Sequence, residues 1–251
     1  MTAAKFPHVL IVIPARLESA RLPRKLLLEL HGKPVIYWTV KRVVETGLAD
    51  VIVATDSLEI KKVCESYGFP VELTSNECVN GTERVYEIAS QYRDRYDFFM
   101  NVQGDEPLLN VQILKTMLAT VGSNDSTFKT AVSVIIGSSV NNPSEVKVAM
   151  SADGRIRYAS RALVPFSRDS QCSHFKIHGV YLYTLSILER FVNSPEGMLE
   201  SMEKVEQLRC IENDIPLFGV ITPHTSNSVD TQVDFEFYRS LSSEEFGLAE
   251  C

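Results

Sequence analysis

Short apolar runs rich in β-branched residues alternate with amphipathic stretches along most of this chain. That alternation restricts the fold more than any other feature. Runs suited to strands occupy residues 9–13, 51–55, 70–73, 98–102, 130–136, 146–150, 179–184 and 217–221. Between them lie helical patterns. Residues 34–46 place Ile36, Val40, Val43 and Val44 on one stripe, with Gly47 as a stop. Residues 56–67 end at Gly68, residues 82–93 align Val85, Ile88, Ala89 and Tyr92, and residues 110–121 align Ile113, Leu114, Met117, Leu118 and Val121. Residues 234–240 read as a further helix. Strand–helix–strand order predicts an α/β fold of three layers, a mostly parallel sheet with helices on both faces. The turn Ser-Ala-Asp-Gly at 151–154 joins 146–150 to 155–159 and predicts a β-hairpin inserted in the second half. At 251 residues and 45% apolar content, one domain over 1–251 with a full core is expected.

Several classes of function fall away. No run of 18 apolar residues occurs, so no transmembrane helix and no membrane insertion is expected. The first apolar run passes straight into a basic loop without a small-residue cleavage site, so it reads as a core strand and not as a leader. The five cysteines (Cys64, Cys78, Cys172, Cys210 and Cys251) are odd in number, widely spaced and without a CxxC pair. That usage suits a reduced, cytoplasmic protein. A formal net charge of −7 argues against a general nucleic-acid binder. Neither GxxxxGK[ST] nor GxGxxG is present. His174 and His178 stand four apart, but in a strand-like segment and without HExxH, so a zinc site is not expected.

Against this acidic background, Arg16, Arg21, Arg24 and Lys25 fall within ten residues just after the first strand, opposed only by Glu18. A cationic loop at the carboxyl end of a strand points to a polyanion, most simply a nucleoside triphosphate. Arginine presents a planar fork to phosphate oxygens and lysine a mobile point charge. The 98–102 strand runs into Gln103-Gly104-Asp105-Glu106-Pro107, which sets Asp105 where a metal-bound triphosphate would sit, although the same letters are ordinary turn chemistry. Asp230 is either a second magnesium ligand or the cap of the helix that follows. Asp56 is expected to cap the helix after the second strand, with an edge position in the nucleotide pocket as the alternative. Asn80-Gly81-Thr82-Glu83-Arg84 opens a helix whose free N–H groups, with Arg84 one turn in, suit an anionic or carbonyl group. A ligand-free capping box is the plainer alternative.

Taken in order, the segments IPARLESARLPRKLL, GKPVI, VATDS, NGTER, NVQGDEPLL, NPSEVKV, YASRALVPF, GVYLYT, EKVEQLRCIENDI and VDTQVDFE resemble those of the 3-deoxy-manno-octulosonate cytidylyltransferases, over nearly the whole chain to about Arg239. The resemblance implies a nucleotide-diphospho-sugar-transferase-like fold with the hairpin as a dimerisation region, and a cytoplasmic homodimer. It implies CMP transfer from CTP to 3-deoxy-manno-octulosonate (Kdo) with magnesium, for lipopolysaccharide synthesis. By match to the family motifs, Arg16, Arg21 and Lys25 hold the triphosphate, and Asp105 and Asp230 bind magnesium, with Arg16, Lys25 and Asp105 catalytic. The 74–84 segment, with Thr74, Gly81 and Arg84, meets the cytosine and ribose. Gln103, Arg161, Tyr181, Glu206 and Gln207 face the sugar acid.

The chain departs from the family pattern at three places. Arg24 stands where the family commonly has glycine. Residues 78–82 replace the usual HxSGT. Ile177 takes the position of a histidine, with His178 next to it. Side chains alternate along a strand, so His178 can take that role only if the strand bulges. The rival readings are a cytidylyltransferase for another sugar acid, such as a sialic acid, and a silent nucleotide-binding regulator. YASRALVPF and EKVEQLR favour Kdo over the first. The retained Lys25, Asp105 and Asp230 argue against the second.

Overall fold

The computed structural model describes residues 8–122, 125–135, 141–168 and 173–248. Cys172, Cys251 and the end of the expected 130–136 strand lie outside them. In chain order the elements are β1 (Val9–Ala15), β2 (Glu29–Leu30), β3 (Lys33–Pro34), α1 (Val35–Glu45), β4 (Asp50–Thr55), α2 (Leu58–Ser66), β5 (Val71–Leu73), α3 (Gly81–Gln91), β6 (Phe98–Val102) and α4 (Gln112–Leu118). Then follow β7 (Phe128–Val134), β8 (Lys147–Met150), β9 (Ile156–Ser160), β10 (Phe175–Tyr183), α5 (Leu185–Asn193), α6 (Met198–Glu203), α7 (Gln207–Glu212), β11 (Leu217–Ile221) and α8 (Gln232–Ser240). The chain divides into two compact units. One comprises Leu10–Ile88, Asn101–Val111 and the chain from Ser226; the other is chiefly Ala89–Met100 and Gln112–Thr225.

In the first unit β1 pairs in parallel with β4, Leu10 opposite Asp50 through Ala15 opposite Thr55, and β4 pairs in parallel with β5. Such strands are buried on both faces, which is why they are continuous apolar runs. Leu10, Ile11, Val12 and Ile13 are fully buried. Helix α1 buries Val35, Ile36, Trp38, Thr39, Val40 and Val43 and gives way to Gly47, whose φ of 60° suits glycine. Trp38 also donates its indole N–H to the Leu30 carbonyl (2.9 Å), so the ring is buried without an orphaned donor. Ser57 caps α2, accepting from the amides of Glu59 and Ile60. Sequence reasoning assigned that cap to Asp56. The hydroxyl one residue later takes it instead, which releases the carboxylate for another partner.

In the second unit β11 and β10 flank β7, β11 in parallel and β10 antiparallel. The expected hairpin forms: β8 pairs antiparallel with β9, and β8 also pairs with β10. Lys147 in β8 is buried, and its ammonium donates to the carbonyls of Asn142 (2.5 Å), Glu145 (2.9 Å) and Arg161 (2.8 Å). Burial lowers its pKa, and those three acceptors are what make a buried cation tolerable there. Glu200 and Arg209 form a buried two-point ion pair (2.7 and 2.8 Å) between α6 and α7. The β10–β7 register shifts between Ile177 and Tyr181. Burial nevertheless alternates through His178, with Lys176, His178 and Val180 buried and Ile177 and Gly179 half-buried, so His178 stays on the face opposite Ile177. His178 is buried, with Nε2 2.8 Å from the Ser133 hydroxyl.

Candidate active site

The basic loop follows β1 directly. Within it Arg24 takes a left-handed conformation (φ 56°, ψ 26°) and caps a single 3-10 turn, Lys25–Leu27. That turn aims Lys25 back toward the strand ends. Its ammonium binds Asp105 Oδ2 and lies 2.9 Å from Asp230 Oδ1. Arg21 reaches the same Asp230 oxygen at 2.9 Å. Two cations and two carboxylates therefore meet in one cluster.

Packing explains why the two aspartates meet. Gly104 sits so tightly that a Cβ there would lie 2.9 Å from Ile36 Cδ1 and 3.1 Å from the Pro14 carbonyl. Its own carbonyl accepts from Thr39 (3.0 Å), which fixes the turn after β6. The Val229 amide donates to the Asp105 carbonyl (2.8 Å), so Asp230 arrives next to Asp105. Asp230 is not a helix cap. Thr231 and Asp234 form the capping box of α8, and Asp230 Oδ2 accepts from Ser228 (2.8 Å).

Burial would raise the Asp230 pKa, but Lys25, Ser228 and Arg21 outweigh it and hold the carboxyl below its usual 3.8. Burial would likewise lower Lys25, but Asp105 and Asp230 hold it above 10.5. At neutral pH Lys25 and Asp230 are therefore both charged. The second oxygen of Asp105, Oδ1, is buried and has no hydrogen-bond partner among the described residues. An orphaned oxygen on one of two carboxylates that share a single ammonium belongs to a donor set that fits a hard cation such as magnesium.

Beside the basic loop lies a cleft of about 360 Å³, lined by Arg16, Glu18, Asp56, Ser57, Asn76 and Cys78 among others. Arg16 is exposed, and its guanidinium donates to the Val79 carbonyl (2.9 Å), which ties the basic loop to the 74–84 segment. Arg84 is fully buried. It pairs with Asp56 (2.7 Å) and donates to the Thr74 hydroxyl, so it braces the cleft from beneath. Helix α3 begins at Gly81, where the Asn80 side chain accepts from the Glu83 amide (2.8 Å). The capping oxygen therefore belongs to Asn80, and Thr82 is buried one turn position further in. A Cβ on Gly81 would meet Asn101 Nδ2 at 3.4 Å, ordinary contact. Burial and the hydrogen bond that the Cys78 thiol donates to Glu87 push that thiol up to about 11, so it lines the cleft as a neutral group.

Of the residues expected at the site, Arg16, Arg21, Lys25, Thr74, Gly81, Arg84, Gln103, Asp105 and Asp230 all belong to the first unit. Arg161, Tyr181, Glu206 and Gln207 belong to the second. There Arg161 donates to the carbonyls of Pro143 (2.9 Å), Glu203 (2.8 Å) and Lys204 (3.1 Å). Gln207 Nε2 donates to Glu206 at 3.3 Å. Tyr181 is buried in β10. Sequence reasoning passed over Asp56 as the partner of Arg84, Ser228, and Asn101, a fully buried amide with neither polar atom hydrogen-bonded among the described residues. An asparagine interrupting the apolar Phe-Phe-Met-Asn-Val strand was the available signal for the last.

The cytidylyltransferase family model matches residues 10–217. A 3-deoxy-manno-octulosonate cytidylyltransferase of Koribacter versatilis is 40% identical over 232 residues, covering 90% of this chain and 86% of its own length. The chain belongs to the 3-deoxy-manno-octulosonate cytidylyltransferase family. A relative of the same name from Lawsonia intracellularis is 36% identical over 92% of each chain. A solved CMP:2-keto-3-deoxy-manno-octonic acid synthetase complexed with CTP superimposes with a TM-score of 0.84 at 31% identity, covering 95% of this chain and 99% of the other. The inositol-1-phosphate CTP transferase of T. maritima shares the fold alone, with a TM-score of 0.63 at 15% identity. Mixed, mostly parallel α/β architecture is common to this family and to these structural relatives.

Proposed function

We propose that this protein transfers CMP from CTP to Kdo, releasing pyrophosphate and activating the sugar acid for lipopolysaccharide synthesis. The observation that carries the reading is the junction of Arg21 and Lys25 with Asp105 and Asp230 at the carboxyl ends of parallel strands. In the reaction the anomeric hydroxyl of Kdo attacks the α-phosphorus of CTP, and the bond to the β-phosphate oxygen breaks. Both reactants are anionic, so the barrier is largely repulsion and positioning.

Arg16, Arg21 and Lys25 hold the triphosphate. Lys25 stabilises the charge that grows on the departing pyrophosphate. Thr74, Gly81 and Arg84 organise the wall that meets the base and ribose, Arg84 through Asp56. Gln103, Arg161, Tyr181, Glu206 and Gln207 orient the sugar acid. Asp105 and Asp230 would hold Mg2+, which when bound neutralises phosphate charge and acidifies a ligated hydroxyl. Among the described residues no cluster of three or more His, Cys, Asp or Glu is placed to hold a metal, and Mg2+ held by two carboxylates would take its remaining ligands from phosphate oxygens and water.

The protein is proposed to act in the cytoplasm as a homodimer formed through the 146–165 hairpin region. Phe166, 90% exposed beside that hairpin, supports an apolar contact there. No helix among the described residues is long and apolar enough to cross a membrane. The deciding assay is pyrophosphate release by purified protein with CTP, Mg2+ and Kdo, set against CTP and N-acetylneuraminate. Equal or greater release with the sialic acid overturns the substrate. Light scattering tests the dimer, and a dimer unaffected by Phe166→Asp moves the interface elsewhere.

A further inference from the structure

The Lys25 ammonium does more than line the triphosphate site. It lies on Asp105 Oδ2 and Asp230 Oδ1, the carboxylates expected to hold the metal. Its side chain is 15% exposed, and those of the two aspartates are 11% and 16% exposed, so the contacts are made largely out of water. The 3-10 turn that directs Lys25 there is anchored by buried Leu26. Arg21 adds a second cation on Asp230. Counted as formal charges, two aspartates and two cations leave the cluster neutral.

We infer that Lys25 is a tethered counter-ion that occupies the metal position and excludes a divalent cation until CTP draws the ammonium away. The inference rests on reading Asp105 and Asp230 as the metal ligands. A free Mg2+ ion would have to shed water to reach two carboxylates already neutralised by the protein, and Mg2+ dehydrates reluctantly. It would also force Lys25 into the neighbourhood of a divalent charge with no anion left to receive it. The triphosphate removes both obstacles at once. Its oxygens offer Lys25 and Arg21 a new partner, the freed carboxylates regain their negative charge, and the metal arrives already shared with the phosphates. Lys25 leaves two oxygens: Asp230 Oδ2, which accepts from Ser228, and Asp105 Oδ1, buried and without a hydrogen-bond partner among the described residues. One unengaged oxygen is a weak site by itself, so metal loading becomes conditional on nucleotide.

The test measures Mn2+ binding by electron paramagnetic resonance, with no sugar acid and no turnover. Wild-type protein without nucleotide is expected to bind Mn2+ only at millimolar concentration. Lys25→Met and Lys25→Gln, each first checked by its melting curve, are expected to bind at least tenfold more tightly. Adding Asp105→Asn to either is expected to abolish the gain. Gain without dependence on Asp105, or no gain, overturns the inference. Should neither lysine variant fold, the wild type decides alone: micromolar Mn2+ binding without nucleotide overturns the exclusion, and binding that appears only with CTP upholds it. A protein that bound Mn2+ in this pattern but released no pyrophosphate from CTP and Kdo would overturn the proposed reaction and not the exclusion.

Discussion

Arg24 shows chemistry and backbone in tension at a single residue. Its φ of 56° is a conformation in which a side chain costs roughly 1–2 kcal/mol, and the resemblance places glycine there. The guanidinium pairs with Glu59 at the surface, a contact too exposed to return much. Arg24→Gly is therefore expected to change stability by less than about 1 kcal/mol, because relief of strain offsets the added chain entropy. Arg24→Val, β-branched in the left-handed region, is expected to lower the melting temperature clearly. Asp105→Asn and Asp230→Asn should each remove most turnover with little change in melting, since Lys25 keeps one carboxylate in either variant. Normal activity of either variant at ordinary magnesium would strike that residue from the site. Lys25→Ala should lower kcat by on the order of a hundredfold or more, with a smaller effect on KM for CTP. A change in KM alone would mean that Lys25 binds ground and transition states equally. The cations of the loop were legible because they are neighbours in the chain. Asp105 and Asp230 stood out as candidate metal ligands, but their pairing with Lys25 was not legible from pattern, because Asp230 lies 205 positions from it. Asp56 was misread because two capping residues stand side by side and only one geometry closes on α2.

Among the elements, β6 and β11 have the bounds that the runs at 98–102 and 217–221 predict, so the sequence reading and the structure coincide there. Helices α6 and α7 escaped sequence reasoning because six residues do not complete two turns, and neither start has a side-chain cap. The β10 shift had a different status. Sequence showed only that His178 needed a bulge, and register depends on partner strands that no local pattern reports. Helix α8 starts at Gln232, two residues before the expected 234, because Thr231 and Asp234 form a reciprocal box, and it is this cap that leaves Asp230 free to face Lys25. Thr231→Ala should cost about 1 kcal/mol of stability, read as a lower urea midpoint at unchanged slope. A fall in activity beyond the loss of folded protein would show that the cap also sets the position of Asp230.

For the molecule as a whole, the charge cluster sets limits on pH. The Asp230 carboxyl is held below 3.8, so its contribution to stability is complete above that value and lost as pH falls through the lower folded pKa. Lys25 is held above 10.5, so its contribution is complete below that value and lost as pH rises through the higher folded one. Melting temperature should be flat across neutral pH and fall at both extremes, and Asp230→Asn should lose less at the acid end than wild type does. The expectation of one domain came from length and an unbroken composition. The chain enters the first unit three separate times, so no local shift in sequence could mark the two compact units. The ammonium seated between Asp105 and Asp230 has one more consequence, which concerns metal identity in a living cell. Copper and zinc bind a given set of oxygen donors more tightly than magnesium does, so a bare carboxylate pair invites mismetallation. A lysine fixed to the same chain cannot be diluted or chelated, and it leaves those metals no vacant pair to poison.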